Sequence, residues 1–135
     1  MGSAVPASNR VLVDTSVWVD FLRGNPEVVS KLESLRRSHE IVVCGQILQE
    51  VLQGSRDASA LGRLERQFTI WALEEERPED YREAARIYAR LRWKGITVPP
   101  SDCLIAAVAK RRGLPLYATD PDFNHVPDLK RHAFQ

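Results

Sequence analysis

The apolar runs of this chain are short, rich in β-branched residues and free of polar alternation, and stretches of helical spacing separate them. Arg10-Val-Leu-Val and Glu40-Ile-Val-Val-Cys are the clearest. A run without alternation suits a parallel strand covered on both faces, and parallel strands need long crossovers, usually helical. Between the first two runs, Thr15 and Ser16 are placed to cap a helix through Leu22. Gly24-Asn-Pro then breaks the chain, and Pro26 opens a second helix to about Ser38. Ile47, Leu48, Val51 and Leu52 have helical spacing, closed by Gly54. The spacing predicts a further helix from Ala58 to about Trp71, a short strand at Ala72-Leu-Glu, and a long helix from Pro78 to Trp93. Tyr81, Ala84, Ala85, Tyr88 and Leu91 form the apolar stripe of that long helix. Cys103 to Ala109 is apolar enough to be a buried helix, closed by Lys110-Arg-Arg-Gly. Leu114–Thr119 reads as the next strand, Asp120-Pro-Asp-Phe as a turn, and Leu129 to Phe134 as a last edge strand. Strands separated by helices throughout predict an α/β domain with a central, mainly parallel sheet and right-handed crossovers.

A length of 135 residues suits one domain, expected over residues 10–135. Residues 1–9 lack the basic start and apolar stretch of a signal peptide and read as a disordered leader or cloning remnant. No apolar run approaches the roughly 20 residues of a membrane span, so no membrane role is expected. Cys44 and Cys103 both sit in apolar contexts and read as buried thiols, which fits the cytoplasm.

Four acids stand where the apolar pattern breaks: Asp14 after the first strand, Glu50 on the rim of a helical stripe, Asp102 at the start of the buried helix, and Asp120 after the later strand. Asp122 adds a fifth in the same turn. In open parallel sheets ligands bind outside the carboxyl ends of the strands, and Asp14 and Asp120 both follow strands. Converging ionised carboxylates are costly to bury without cations between them, and an all-oxygen cluster suits Mg²⁺ or Mn²⁺. Two such ions about 4 Å apart assist both attack and departure in phosphodiester hydrolysis, with metal-activated water as nucleophile. Setting five of the 18 acids aside leaves 13 against 19 bases, a surplus of +6 elsewhere. A basic surround suits a polyanion held by its phosphates.

The segments Val11-Leu-Val-Asp-Thr-Ser-Val-Trp, Gln49-Glu-Val-Leu-Gln-Gly, Ser101-Asp-Cys-Leu-Ile-Ala-Ala-Val-Ala and Ala118-Thr-Asp-Pro-Asp-Phe, in this order and spacing, resemble the PIN-domain family, particularly VapC-type toxins of bacterial toxin–antitoxin pairs. The resemblance covers nearly the whole chain from Arg10. It implies a PIN-like α/β/α sandwich, Mg²⁺- or Mn²⁺-dependent endoribonuclease activity, restraint by a cognate antitoxin, and a homodimer. By position, Asp14, Glu50, Asp102 and Asp120 match the family's acidic quartet, with Asp122 as accessory or alternative ligand. Thr15 and Ser16 match hydroxyl positions that support the first aspartate or a metal-bound water, simple helix capping being the other reading. The resemblance also suggests inhibition by an antitoxin arginine placed against the carboxylates.

Other features carry two readings each. Arg92-Trp93-Lys94 suits single-stranded RNA contact or plain packing. Val17, Trp18 and Phe21 suit a hydrophobic patch for a partner helix or dimer, or ordinary core. Lys110-Arg-Arg complements a helix end or contacts RNA. His39, His125 and His132 match no metal spacing and read as surface residues. Two alternatives to a nuclease are a non-catalytic PIN-like RNA- or protein-binding module and a phospho-acceptor domain. The second is disfavoured, because Ile41-Val-Val-Cys ends without an acid and Leu116-Tyr-Ala-Thr is followed by Asp rather than Lys.

Overall fold

Four strands pair in parallel throughout. The computed structural model describes residues 9–134, so the expected leader lies outside the described residues apart from Asn9, whose side-chain amide donates to the Ser38 carbonyl at 3.3 Å. The elements run β1 (Arg10–Val13), α1 (Thr15–Leu22), α2 (Pro26–Ser38), β2 (Glu40–Cys44), α3 (Gly45–Gln53), α4 (Ala58–Phe68), β3 (Ala72–Glu74), α5 (Pro78–Trp93), α6 (Pro100–Arg112) and β4 (Leu116–Tyr117), followed by a 3-10 turn at Pro121–His125. Helices cover both faces of the sheet, an α/β/α sandwich. Val11, Leu12 and Val13 of β1 and Ile41 to Cys44 of β2 are accordingly buried on both faces.

The strand order decides where a site can form. From β1 the chain steps outward through β2 to β3, then returns to place β4 on the other side of β1. The winding therefore reverses between β1 and β4, leaving a crevice beyond their carboxyl ends. In register, Leu12 faces Leu116 and Val13 faces Tyr117.

Helix α6 is buried from Cys103 through Ala109, apolar on every side, and its alanines allow close approach to its neighbours. Gly113 ends it at φ +62, a left-handed conformation in which a side chain would be strained. Cys44 and Cys103 are buried and unpaired as expected; burial pushes their thiols up to about 12 and about 11, so both are inert.

Several sequence expectations are corrected. Helix α1 is capped by Asp14, whose carboxylate accepts the Ser16 N–H, rather than by Thr15 or Ser16. Helix α4 stops at Phe68, where the Thr69 hydroxyl donates to the Arg66 carbonyl and turns the chain toward β3. The strand expected over Leu114–Thr119 shrinks to Leu116–Tyr117, because the Leu114 N–H is tied back to Ala109 of α6 and the Thr119 N–H donates to the Ser16 hydroxyl. The last edge strand reduces to one parallel bridge between Leu116 and Arg131.

The buried face of α5 is Asp80, Ala84, Ile87 and Leu91, while Tyr81 and Ala85 face solvent. A charged residue occupies the position that the apolar pattern assigned to its neighbour. Asp80 is 0% exposed, and both Arg111 and Arg112 of α6 donate to it. The basic end of α6 is thus used by the fold, with Lys110 left out of the pair. His39 and His132 are half-buried and stack edge to face with ring centroids 5.3 Å apart; His125 alone of the three is exposed. Val17 and Trp18 belong to the core: Trp18 is 1% exposed, and its indole N–H donates to the Val13 carbonyl at 3.0 Å.

Candidate metal centre

Each candidate acid arrives on a different connection. Asp14 is the first residue beyond β1, its N–H donating to the Tyr117 carbonyl of β4, so the two strands of the crevice fix its backbone directly. Asp102 lies in the first turn of α6, where a carboxylate is favoured by the exposed amides of a helix start. Asp120 caps the 3-10 turn, accepting the Asp122 N–H on Oδ1 at 2.9 Å and holding both acids of the turn in one place. One carboxylate oxygen from each of Asp102, Asp120 and Asp122 lies within 4.8 Å of the others. Asp14 and Glu50 fall outside this triplet by distance, but their charges act on Asp102.

The electrostatics bind the five together. Asp102 is pushed up to about 7, first by burial and then by the charges of Asp14, Asp120, Glu50 and Asp122. Burial also raises Asp14 against the opposing hydrogen bonds from Ser16 and Thr15, and the Asp120 charge raises it further. Glu50 is raised by burial, with the Asp14 charge adding to it and the Thr15 hydroxyl opposing. Without a cation the cluster repels itself.

The hydroxyl residues take distinct places. The Thr15 hydroxyl donates to Glu50 Oε1 at 3.0 Å, fastening α1 to α3 across the rim. The Ser16 hydroxyl donates to Asp14 Oδ2 at 2.6 Å and accepts the Thr119 N–H at 3.1 Å, joining the first acid to the loop that carries Asp120. Asp14 is only 3% exposed, yet its Oδ1 has no hydrogen-bond partner. A buried carboxylate oxygen seldom stays unpaired. Together with three further carboxylate oxygens converging nearby, it fits a hard divalent cation bound through oxygen alone.

One contributor was not singled out by sequence reasoning. Glu76 accepts the N–H groups of Gly45 and Gln46 at 2.9 and 2.7 Å, capping α3, the helix that carries Glu50. A Cβ at Gly45 would stand 2.8 Å from Glu76 Oε1, so the missing side chain lets the carboxylate in. The signal was present as Glu75-Glu directly after β3 and a glycine opening α3, but nothing in the sequence pairs the two.

Arg92, Trp93 and Lys94 end α5 on the surface. Trp93 is 80% exposed, so the packing reading fails, and the Arg92 guanidinium donates to the Thr97 hydroxyl at 2.8 Å. Away from the acids, an apolar groove of about 490 Å³ is lined in part by Trp18, Phe21 and Leu22 of α1, Leu32 of α2, Phe68 of α4 and Ile70. Leu22 and Ile70 are exposed at its edge. No described helix is long and apolar enough to cross a membrane.

Comparison with known proteins agrees with this geometry. Residues 11–129 match the PIN domain. Over 133 residues the chain is 35% identical to a VapC ribonuclease of Mycobacterium bovis, covering 93% of this chain and 99% of the relative, with the same values for the ribonuclease VapC11 of Mycobacterium tuberculosis. Among solved structures, VapBC2 of Rickettsia felis bound to a DNA fragment from its promoter superposes with a TM-score of 0.79 at 19% identity, over 91% of this chain and 97% of that one. At that identity the likeness shows the fold.

Proposed function

The chain belongs to the PIN-domain family, and on that premise we propose that it is an Mg²⁺- or Mn²⁺-dependent endoribonuclease toxin that hydrolyses RNA phosphodiester bonds and is restrained by a cognate antitoxin. The observation that carries the reading is the convergence of Asp102, Asp120 and Asp122 within 4.8 Å, together with the buried, unpartnered Oδ1 of Asp14, whose charge acts on Asp102. Asp14, Glu50, Asp102 and Asp120 are the proposed metal-binding and catalytic acids, with Asp122 sharing the fourth position. Both turn residues have a carboxylate oxygen near Asp102, which makes joint use the simpler assignment.

Hydrolysis adds water across one P–O bond, leaving a phosphate monoester on one fragment and a hydroxyl on the other. A divalent cation supplies Lewis-acid polarisation of the phosphoryl group and a water acidic enough to attack at neutral pH. The protein's own part is positional. Ser16 occupies Asp14 Oδ2 and leaves Oδ1 for the metal, Thr15 fixes Glu50, and the Asp120 cap keeps Asp122 in reach. Because the acids repel one another, cations held among them would relieve that repulsion and make room for substrate phosphate.

The apolar groove beside α1 suits a segment of the antitoxin, and an antitoxin arginine at the carboxylates would compete with metal and phosphate. We further propose a homodimer acting in the cytoplasm. The test is Asp102→Asn. That variant keeps its circular dichroism spectrum, loses Mg²⁺-dependent cleavage of total RNA and no longer binds Mn²⁺ by calorimetry; undiminished cleavage would overturn the assigned chemistry.

A further inference from the structure

We propose that Trp93, with Arg90, Arg92 and Lys94, is a binding surface for single-stranded RNA next to the acidic rim, the indole stacking on a base and the cations meeting adjacent phosphates. The proposal rests on the nuclease reading of the acids and names how their substrate is held.

Topology supplies the placement. Helices α5 and α6 run antiparallel: Asp80 in the first turn of α5 is held by Arg111 and Arg112 at the end of α6. From that shared level, Asp102 lies about 14 Å along α6 and Trp93 about 20 Å along α5, at a rise of about 1.5 Å per residue. Both stations therefore lie toward the same end of the α5–α6 pair, about 6 Å apart along axes that stand about 8–10 Å from each other, with Trp93 on the solvent side of α5, away from its buried face. A short stretch of RNA spans that gap.

Charge pairing separates the two halves of α5. Arg82 and Arg86 pair with Glu79 and Glu83 on their own helix. Arg90, Arg92 and Lys94 are exposed and form no ion pair among the described residues; the polar contact of Arg92 is the neutral Thr97 hydroxyl. Unneutralised cations are thus concentrated at the carboxyl end of α5, the end from which the chain passes into α6 and Asp102. There they offset the repulsion that five carboxylates exert on a polyanion. Trp93 at 80% exposure, between Arg92 and Lys94, presents an aromatic ring that no part of the described fold covers. Aromatic stacking of a base flanked by phosphate-contacting cations is how single strands are held without duplex.

The experiment measures binding of a fluorescein-labelled single-stranded RNA decamer to the full chain carrying Asp102→Asn, so that cleavage does not interfere. Adding Trp93→Ala weakens binding roughly ten-fold or more, while Trp93→Phe retains most of it. Lys94→Gln with Arg90→Gln lowers affinity and reduces the slope of log affinity against log salt by about 0.7 for each phosphate no longer neutralised. With the acids intact, Trp93→Ala lowers kcat/KM and leaves kcat at saturating RNA unchanged. Binding of Trp93→Ala within two-fold of its parent overturns the proposal. A weakened dimer or antitoxin complex with RNA affinity intact overturns it too, by assigning the surface to protein. Cleavage persisting in Asp102→Asn alone would instead strike the nuclease chemistry, so the two failures are distinguishable.

Discussion

Removing the Asp80 carboxylate should destabilise the fold by about 3 kcal/mol at neutral pH. Asp80 is 0% exposed and accepts four bonds: from Arg112 at 3.0 and 2.9 Å, from Arg111 at 2.7 Å, and from the Arg77 N–H at 2.7 Å. Breaking a buried ion pair from one side costs about 3–5 kcal/mol, because the partner's charge is left behind. The lower end applies here, since Arg112 keeps Glu74 at 3.1 Å and the Glu75 carbonyl at 2.8 Å, and Arg111 reaches solvent. With a slope of about 2 kcal/mol per M urea, Asp80→Ala lowers the unfolding midpoint by about 1.5 M.

The pH dependence has a definite sign. Burial on its own would raise Asp80, but the hydrogen bonds from Arg112, the Arg77 N–H and Arg111 outweigh it and hold the carboxyl well below the usual range. The unfolded chain therefore takes up this proton near pH 4 while the folded chain does not. The stabilisation is present above that pH and is lost as acid is added. Urea denaturation at pH 7 and pH 2.5 checks both parts: the gap between parent and Asp80→Ala is wide at pH 7 and narrows at pH 2.5. A single-variant cost below 1 kcal/mol, or a gap independent of pH, refutes the argument.

Two further changes test how the rim is held. Ser16→Ala removes the hydroxyl joining Asp14 to the Thr119 N–H, and we expect a cleavage rate about ten-fold lower, from the roughly 1.5–3 kcal/mol that a hydrogen bond to a charged group carries; Ser16→Thr rescues it, whereas a parental rate in the alanine variant would count against the bridge. Glu76→Ala uncaps α3 and should cost about 1 kcal/mol in urea denaturation, with Mn²⁺ affinity falling as Glu50 loosens. No change in either measurement would mean that the cap does not set the helix.

The sheet and its helices were legible because β1, β2 and α6 are buried on all sides, which leaves continuous apolar runs in the sequence. Where burial is one-sided or contacts are remote, the sequence was a poorer guide. Asp80 interrupts the stripe of α5 because its partners lie at the far end of α6, some thirty positions on, and β4 is short because Leu114 and Thr119 bond to groups that no local pattern announces. The acids were readable as breaks in apolar patterns and by resemblance. Their supports were less so: Ser16 was seen as a hydroxyl but not as a bridge to Thr119, and Glu76 was not seen at all. Trp93 shows the opposite limit, since an aromatic at the end of an amphipathic helix looks like packing until its exposure is known.

The reversal of winding between β1 and β4 also has a consequence in time. A chain is made from its amino end, so Asp14 leaves the ribosome long before Asp120 does. The crevice cannot close around its acids until β4 has docked against β1. A partly synthesised chain thus carries Asp14, Glu50 and Asp102 without the turn that bears Asp120 and Asp122, and the cleavage proposed for these acids would be withheld from the translating ribosome until that turn has emerged.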